Sequence, residues 1–380
     1  MHVAVLGAGY AGVSLTRKLE DALPPEDEIT LVDERDTHLV QHLVHRVVSH
    51  PSLADDLRIP VADLLDRAEF RQAEVSGFDA DSGTVDLDDG TLSADYLAVC
   101  LGAQTAFYDL SGVREHATPL KSVAHAERIR EDFEPIQEAG GSVVVGGAGL
   151  SGIQIAGELA AIAEDAPGDV EVHLVERLDT VAPNFPDRFQ RAVDEELRDR
   201  GVTVHTGRAV ESADDEALTF ADGGELGYDQ FVWTGGIAGQ DAAGGQRPEV
   251  RADLRLGDRA FVVGDAARVV DSDGQPAPAS AQTAVRQADV AASNIGKLLG
   301  HERTGDGFAP RLDRYRYTEL GWLVSVGDGA VAQVGGQVVR GRAAKALKTT
   351  VGAGYLTSIG AIENASDYVW EKVGGAEASD

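Results

Sequence analysis

Short apolar runs that end in glycine or a carboxylate recur along the chain, and a stretch with helical spacing follows most of them. The first run, 2–6, leads through a glycine-rich turn into a helix, and the next strand ends at Asp33. A similar strand, turn and helix occupy 142–160, and the strand behind them ends in Glu176. Strands that alternate with helices in this way predict α/β domains with parallel sheets.

The remaining pattern predicts smaller pieces between and after these units. Residues 71–101 alternate between polar and apolar positions with turn signals, which predicts a small meander that returns to a buried strand at 96–101. The same periodicities predict a helix at 187–200, strands at 202–206, 217–220, 230–233 and 260–263, and a helix that begins near Ser280.

Both strand-turn-helix units carry the spacing GxGxxG in the turn. The first glycine permits the tight turn, the second lets a pyrophosphate approach the backbone, and the third lets the helix pack closely on the strand. Two such turns predict two dinucleotide sites, and a glycine-rich turn without a ligand is the alternative. The glycines are Gly7, Gly9 and Gly12 in the first turn and Gly147, Gly149 and Gly152 in the second.

The acidic residue at the end of each following strand predicts how a nucleotide ribose is held. Asp33 is placed to hydrogen-bond an adenosine ribose. Glu176 can accept from both ribose hydroxyls and repels a 2′-phosphate, which favours NAD over NADP. The neighbouring Arg177 favours the phosphate, so NADPH stays open as the less favoured cofactor.

A third stretch, 261–287, is where these two units are expected to meet. A buried strand ends there in Gly264 and Asp265, and a carboxylate at a strand end suits sugar hydroxyls. Ser280 is a predicted N-cap, so the following helix would direct its positive end at the ligand beside Asp265. Such a dipole favours an anionic ligand, and we interpret the stretch as the place where a reduced flavin is held. The alternative is that Gly264 and Asp265 are an ordinary exit from a strand into a loop.

Composition narrows the compartment and the partners. The chain has 64 acidic and 33 basic residues, and its formal net charge of −31 argues against nucleic-acid binding. Acids spread through otherwise globular patterns resemble proteins of salt-accumulating organisms, where molar salt screens charges beyond about 3 Å. We expect marginal stability at low salt. No leader and no spanning run are apparent, so we expect a cytoplasmic protein, possibly peripheral on the cytoplasmic face of the membrane.

The cysteine and histidine content limits the chemistry of the side chains. The single cysteine, Cys100, allows neither an internal disulfide nor a CxxC redox pair, so redox work requires a bound cofactor. Four histidines lie between Thr37 and Leu65, but their spacing lacks the cysteines or the HExxH pattern of a metal site. We therefore expect no metal site. We expect His38, His42, His45 and His50 to line a helix and the surroundings of a bound flavin.

The C-terminal part shows a local change of charge. Residues 331–362 contain no acid and four bases, Arg340, Arg342, Lys345 and Lys348. One interpretation is an amphipathic basic face, including Leu347, that contacts anionic lipid somewhere within 331–372. The other is that the region packs against the flavin domain or a second subunit.

Several stretches together resemble the two-dinucleotide-domain flavoprotein reductases, and within them the type II NADH:quinone oxidoreductases. The resemblance covers nearly the whole chain. Its supporting runs are HL at 38–39 with Gln41, LGAQ at 101–104 followed by Gly112, PLKS at 119–122, GD at 264–265 and AQTA at 281–284. The last run, near the expected quinone side, is the most discriminating.

The resemblance implies an α/β fold with two Rossmann-like dinucleotide-binding domains, the NAD domain inserted in the FAD domain, plus a small C-terminal α+β region. The implied boundaries are 1–117 and 238–310 for FAD, 118–237 for NAD(H), and 311–380 for the C-terminal region, which faces a membrane or a dimer partner. The implied FAD site comprises Gly7, Gly9, Ala11, Gly12, Asp33, Glu34, His38, Val75, Gly102, Gly264, Asp265, Ala281 and Gln282, and the NAD site Gly147, Gly149, Gly152, Glu176 and Gly235.

The implied activity is that of a non-proton-pumping NADH dehydrogenase that reduces FAD and then a quinone. This chain departs from the family pattern at two residues near the reacting groups: Arg286 replaces the second glutamine of an AQxAxQ pattern, and Gln154 replaces a glutamate near the nicotinamide. We take Gln282, Arg286 and Gln154 as the candidate catalytic residues. A reductase with a ferredoxin-like or other small acceptor, and a nucleotide-binding flavoprotein without turnover, are the alternatives. A homodimer is possible.

Overall fold

The computed structural model describes residues 1–305, 307–319, 321–341 and 344. The helices are α1 Tyr10–Ala22, α2 Arg46–Ser49, α3 Leu53–Asp56, α4 Val113–His116, α5 Val123–Ala139, α6 Leu150–Glu164, α7 Asp187–Asp199 and α8 Ala281–Thr304. Of the helices in these ranges, none combines the length and apolar composition needed to cross a bilayer.

Short strands alternate with these helices throughout. Up to residue 119 they are β1 His2–Leu6, β2 Glu28–Asp33, β3 Thr37–Leu39, β4 Arg58–Pro60, β5 Glu69–Gln72, β6 Val75–Asp79, β7 Thr84–Leu87, β8 Gly90–Ser93, β9 Tyr96–Val99, β10 Gln104–Thr105 and β11 Thr118–Pro119. Next come β12 Gly141–Gly146, β13 Val170–Val175, β14 Val202–His205, β15 Val210–Ala213, β16 Ala217–Phe220, β17 Glu225–Gly227, β18 Gln230–Trp233 and β19 Ile237–Ala238. The last are β20 Glu249–Val250, β21 Arg255–Leu256, β22 Ala260–Val262, β23 Arg268–Val269, β24 Trp322–Val326, β25 Gly329–Val334 and β26 Gln337–Arg340.

Two largely parallel sheets form the frame. The first has the order β21-β22-β9-β1-β2-β5, in which only β21 runs antiparallel. The second, β11-β18-β12-β13-β14, is parallel throughout. Their central strands are buried on both faces, as apolar runs such as those of β1 and β12 require. The predicted α/β fold with two Rossmann-like units is confirmed.

The region predicted as a meander divides between two sheets. Strand β5 pairs with β2 in register Thr30↔Glu69 and extends the parallel sheet, so the prediction was wrong for residues 71 and 72. Strands β6, β7 and β8 form the antiparallel meander. Alternation alone could not separate them, because an exposed edge strand of a parallel sheet also has one polar face.

Helix α8 follows the strands β22 and β23 in the chain, and its inner face is part of the hydrophobic core. Ser280 caps the helix by accepting from the backbone N–H of Thr283, and Ala288, Ala291 and Ile295 are buried along its inner face. The helix packs on α1 and on the turn at 264–266 that follows β22. This arrangement brings two helix N-termini to the same edge.

The C-terminal strands β24, β25 and β26 form an antiparallel sheet that packs on the helices α6 and α7. Arg340 bonds Glu195, Glu196 and Asp199 of α7 at 2.7–3.1 Å. Arg340 is therefore paired within the protein, which favours the packing alternative at this residue, and the basic face stays a prediction. Arg342, Lys345, Lys348 and Leu347 lie outside the described residues.

Candidate functional site

The first glycine-rich turn is closed by the acid of the next strand. Gly7 has φ of 100°, and its N–H donates to the Val32 carbonyl at 2.7 Å. A Cβ on Gly12 would lie 1.7 Å from the Gly7 carbonyl oxygen, so only glycine lets α1 approach. Asp33 accepts from the N–H of Ala8 at 2.7 Å through one oxygen and from that of Arg35 at 2.9 Å through the other.

A cavity of about 530 Å³ opens beside this turn at the carboxyl edge of the first sheet. Its lining combines α1, the loop after β9, the loop after β22 and the first turn of α8. Of the predicted FAD residues, the lining includes Gly7, Gly9, Ala11, Asp33, Glu34, Gly102, Asp265 and Ala281. Segments more than 250 positions apart in the chain, such as those of Gly7 and Ala281, therefore line one cavity.

Asp265 lines this cavity and carries a side-chain oxygen without a hydrogen-bond partner among the described residues. Its Oδ1 is buried and accepts no hydrogen bond from any described residue. The turn that presents it is held by Arg247, whose guanidinium donates to the carbonyls of Asp265 and Ala267 at 2.6 and 2.8 Å. Gln287, 1% exposed, accepts from the Gly264 N–H at 2.8 Å. A buried acceptor held this firmly is suited to a ligand hydroxyl.

Positive charge faces Asp265 across the cavity, and the sequence prediction did not assign it. Lys121 and His125 both line the space, and the Lys121 N–H donates to His125 Nδ1 at 3.2 Å. Burial lowers the pKa of Lys121, and the charge of Asp265 partly offsets this. Burial and the charge of Arg35 lower the pKa of His125. The PLKS run at 119–122 was the available signal, and its lysine suits an anionic ligand.

The second glycine-rich turn repeats the first in its bonding. The Gly147 N–H donates to the Val175 carbonyl at 2.8 Å, and a Cβ on Gly152 would lie 1.8 Å from the Gly147 oxygen. Glu176 accepts from the N–H groups of Ala148 and Leu178, both at 2.9 Å. Gly235 packs directly on Gly147. The five predicted NAD residues therefore lie together at the carboxyl edge of the second sheet.

Gln154 is half-buried in a polar cluster formed by α2, α6 and β24. Its amide nitrogen is 3.4 Å from Ser325 Oγ and 3.4 Å from His45 Nε2. One turn further along α6, Glu158 accepts from Arg46 at 2.9 Å and also from Ser49. Helix α2, helix α6 and strand β24 are joined here by polar contacts, so Gln154 is placed at a junction rather than on the lining of the cavity.

Six other predicted residues are absent from the cavity lining, two of which, Gly12 in α1 and Gly264 next to Asp265, are close to residues that line it. His38 is fully buried and donates through Nδ1 to the Ala8 carbonyl at 2.8 Å, and Val75 lies on β6. Gln282 is exposed on α8. Arg286 donates to the Thr318 carbonyl at 2.8 Å. The periodicity of α8 could not show this contact, because Thr318 is 32 positions away in the chain.

Two of the four histidines of the first unit share a neighbour, because the rings of His38 and His42 both contact that of Tyr10, at centroid distances of 5.4 and 5.9 Å. His42 bonds the hydroxyl of Tyr10, His45 bonds Ser325, and His50 bonds Ser49. In the described part of the chain, no group of three or more histidine, cysteine, aspartate or glutamate side chains is arranged to hold a metal ion.

The family model for pyridine nucleotide-disulphide oxidoreductases matches residues 1–288. The chain belongs to this family. The family is named for a pyridine nucleotide and for redox chemistry. The two glycine turns are suited to bind dinucleotides. The chain is therefore an oxidoreductase of the pyridine nucleotide type.

Known relatives extend the match over nearly the full length. A curated type II NADH:quinone oxidoreductase of Staphylococcus aureus is 27% identical over 395 aligned residues, which cover 95% of this chain and 96% of the relative. Among solved structures, NDH2 of Plasmodium falciparum in complex with NADH has a TM-score of 0.82 at 14% identity, with 97% of each chain covered. The sulfide:quinone oxidoreductase of Aquifex aeolicus has a TM-score of 0.78 at 18% identity, covering 96% of this chain and 92% of that one. The predicted resemblance is confirmed, and the structures share the fold.

FAD fits the first site by its chemistry. The unpartnered Asp265 oxygen suits a ribityl hydroxyl, Asp33 suits the ribose, and Lys121 with the N-terminus of α1 suits the pyrophosphate. Gly9, the N-cap residue of α1, makes no side-chain capping hydrogen bond, which leaves the first N–H groups of the helix available to phosphate oxygens. A nicotinamide dinucleotide fits the second turn for the same reasons, through Gly149 and Glu176.

Proposed function

We propose that the protein oxidises NADH and passes the electrons through FAD to a quinone, without pumping protons. The observation that carries the proposal is the pair of glycine turns with the same hydrogen bonds, one of them beside a cavity with an unpartnered carboxylate oxygen. The curated relative at 27% identity supports NADH and quinone as the substrates. When bound, FAD supplies the ability to accept a hydride and to release electrons to a second substrate.

In this proposal the protein binds and orients rather than acting as an acid or base. Asp33 and Glu176 position the two adenosine riboses, and Gln287 fixes the Gly264 turn so that Asp265 meets the ribityl chain. The N-terminus of α8 lies at the cavity through Ser280 and Ala281, and its dipole stabilises negative charge there. Lys121 adds a half-buried positive charge to the same wall.

Cys100 argues against a sulfur-based reaction. Its side chain is buried behind Gly12, and burial raises the pKa of its thiol, so the reactive thiolate is disfavoured. It is the only cysteine in the chain, so no partner exists for a redox disulfide. A disulfide reductase or a sulfide:quinone reaction that uses cysteine pairs is therefore not supported.

The identity of the acceptor is the least constrained part of the proposal. Gln282 is exposed and available to a second substrate, while the Arg286 guanidinium is tied to a backbone carbonyl. A small acceptor other than quinone is the second candidate because of this engaged arginine. The FAD-loaded protein should bleach at the flavin band on anaerobic addition of NADH, and a soluble quinone should restore the colour. Bleaching that quinone leaves unchanged would point to the other acceptor, and no bleaching would contradict the proposal.

Lipid contact within 331–372 remains a prediction, and its alternative is that this region packs against the protein or a second subunit. The ion pairs of Arg340 with α7 favour packing of this region on the protein. Co-sedimentation with vesicles that contain anionic lipid decides between the two: binding that is lost in molar salt supports the basic face, and no binding at low salt supports packing.

A further inference from the structure

We propose that Tyr108 is the aromatic plate on which the nicotinamide half of the dinucleotide packs. This inference rests on the proposed function and adds a substrate-contacting residue to it. Tyr108 belongs to the segment that crosses from the first sheet to the second, and it is the most exposed aromatic side chain on that crossing, with 62% of its surface accessible.

The crossing segment is attached firmly to the nucleotide domain. Strand β10 pairs antiparallel with β19, and the Ala106 N–H donates to the Gly236 carbonyl at 3.0 Å. On the other side, the indole N–H of Trp233 donates to the Ala106 carbonyl at 2.8 Å. Phe107 is buried beneath the guanidinium of Arg114. The backbone up to residue 107 therefore leaves the next side chain little freedom of position.

Tyr108 is then held in an unfavourable backbone conformation. Its φ is 53°, and that of Asp109 is 54°, in the left-handed region that a bulky side chain rarely adopts. This geometry turns the ring back onto the glycine step that follows β18. The Tyr108 hydroxyl donates to the Gly235 carbonyl at 3.4 Å, and a Cβ on Gly236 would lie 1.9 Å from the same hydroxyl oxygen. Strain at a solvent-exposed aromatic residue is typical of ligand-contacting positions.

The glycine step places this ring beside the dinucleotide turn. A Cβ on Gly147 would lie 2.7 Å from the Gly235 Cα, so the step packs directly on the first glycine of the second fingerprint. On the other side, Thr105 and Phe107 of the crossing segment line the cavity of the first site. Tyr108 thus lies between the pyrophosphate turn and the flavin cavity. A nicotinamide must occupy this interval to reach a flavin.

An exposed aromatic face at that place has a defined chemical use. A flat heteroaromatic ring that packs on Tyr108 would cover surface that water now contacts, and stacked aromatic pairs strengthen association beyond simple burial. The hydroxyl contributes little, because its hydrogen bond to the Gly235 carbonyl is long, at 3.4 Å, and exposed to solvent. We therefore expect the ring, rather than the hydroxyl, to determine affinity for the dinucleotide.

The test uses the FAD-loaded full chain and NADH in anaerobic stopped-flow experiments, with flavin bleaching recorded against NADH concentration. Tyr108→Ala should raise the apparent Kd for NADH about 3- to 10-fold and change the limiting rate of bleaching less than the Kd. Tyr108→Phe should keep the wild-type Kd. Tyr108→Gly should match Tyr108→Ala, and Asp109→Gly, which relieves strain and keeps the ring, should match the wild type.

Three results would overturn the assignment. A Kd for Tyr108→Ala within twofold of wild type excludes a stacking contact. Equal losses in Tyr108→Phe and Tyr108→Ala would assign the effect to the hydroxyl, and a large effect of Asp109→Gly would assign it to the backbone. If wild-type flavin does not bleach, the proposed function fails, and titration of NADH by its own fluorescence still measures the Kd of each variant. Absence of NADH binding in that titration rejects the assignment as well.

Discussion

The two glycine turns have nearly the same internal bonds and different surroundings. In both, the first glycine donates to the next strand, the third glycine admits the helix, and the acid accepts from the alanine N–H between the glycines. The first turn faces a cavity closed by Asp265, Lys121 and the start of α8. The second faces the glycine step 235–236 and the exposed Tyr108.

The local motif is suited to a dinucleotide in both turns, while the opposite wall determines how the dinucleotide is used. A wall with a buried unpartnered carboxylate oxygen and a half-buried lysine suits a resident cofactor, because many contacts can be satisfied at once. A wall of backbone glycine and an exposed ring suits a substrate that must enter and leave. We infer that the first nucleotide stays bound and that the second exchanges.

The largest expected effect comes from the third glycine of each turn. Gly12→Ala and Gly152→Ala place a Cβ 1.7 and 1.8 Å from a backbone oxygen, so each should break its own turn. We expect Gly12→Ala to abolish FAD retention, and Gly152→Ala to abolish NADH binding while FAD remains. Absorbance of the purified protein and NADH titration measure the two losses.

Matched controls come from the second glycine of each turn. A Cβ on Gly9 or Gly149 would have no protein atom within 4 Å, so Gly9→Ala and Gly149→Ala should fold normally and lose nucleotide affinity only. Normal nucleotide binding in these controls would show that the middle glycines do not admit a pyrophosphate.

The next largest effect concerns the buried ion pair of Arg46 and Glu158, which joins α2 to α6. Glu158 is 1% exposed and accepts from Arg46 of the first region at 2.9 Å. Glu158→Ala leaves the guanidinium buried and unpaired, so the free energy of unfolding should fall by about 3–5 kcal/mol. Denaturant titration in molar KCl measures it. Glu164→Ala, at an exposed position of the same helix, should change it by less than about 0.5 kcal/mol.

A smaller effect should show that Glu176 and Asp33 act on different nucleotides. Glu176→Gln removes the charge that repels a 2′-phosphate, so NADH affinity should fall about tenfold and the preference for NADH over NADPH should narrow. Asp33→Asn is the counterpart in the first turn and should weaken FAD retention while the NADH preference stays constant. Both are read from coenzyme titrations. A preference unchanged in Glu176→Gln would contradict the assigned role.

The smallest effect is a pH dependence confined to the first turn. Burial lowers the pKa of His38, which donates as a neutral ring to the Ala8 carbonyl. The unfolded chain binds a proton near pH 6.5 and the folded chain does so only at lower pH, so the free energy of unfolding rises with pH between those two values and does not change with this group's titration below the lower one. The loss should reach about 1.4 kcal/mol per pH unit at most.

His38→Asn retains a donor and removes the titration, so it isolates this contribution. Thermal unfolding of the flavin-loaded protein at pH 7.5 and 5.5 should show a smaller difference in the variant than in the wild type. Equal differences in the two proteins would exclude His38 as the group responsible.

Much of the frame followed from local patterns, and the exceptions show why the rest did not. The helix 187–200 and the strand 217–220 were predicted within a residue of their bounds, because their periodicity is strong. Arg71 was assigned to the wrong sheet, since strand pairing is a long-range choice. Lys121 was quoted only as part of a motif, because its position facing Asp265 depends on how separate segments meet.

The sequence by itself determined the two dinucleotide turns, the acids that close them and the redox class, because these depend on residues within about 30 positions of each other. Only the tertiary structure decided what faces each turn. The Arg286 bond to Thr318 and the Tyr108 bond to Gly235 join distant segments, and Asp265 Oδ1 is buried where such segments meet. Packing of whole sheets and helices sets such contacts, and no local spacing encodes them.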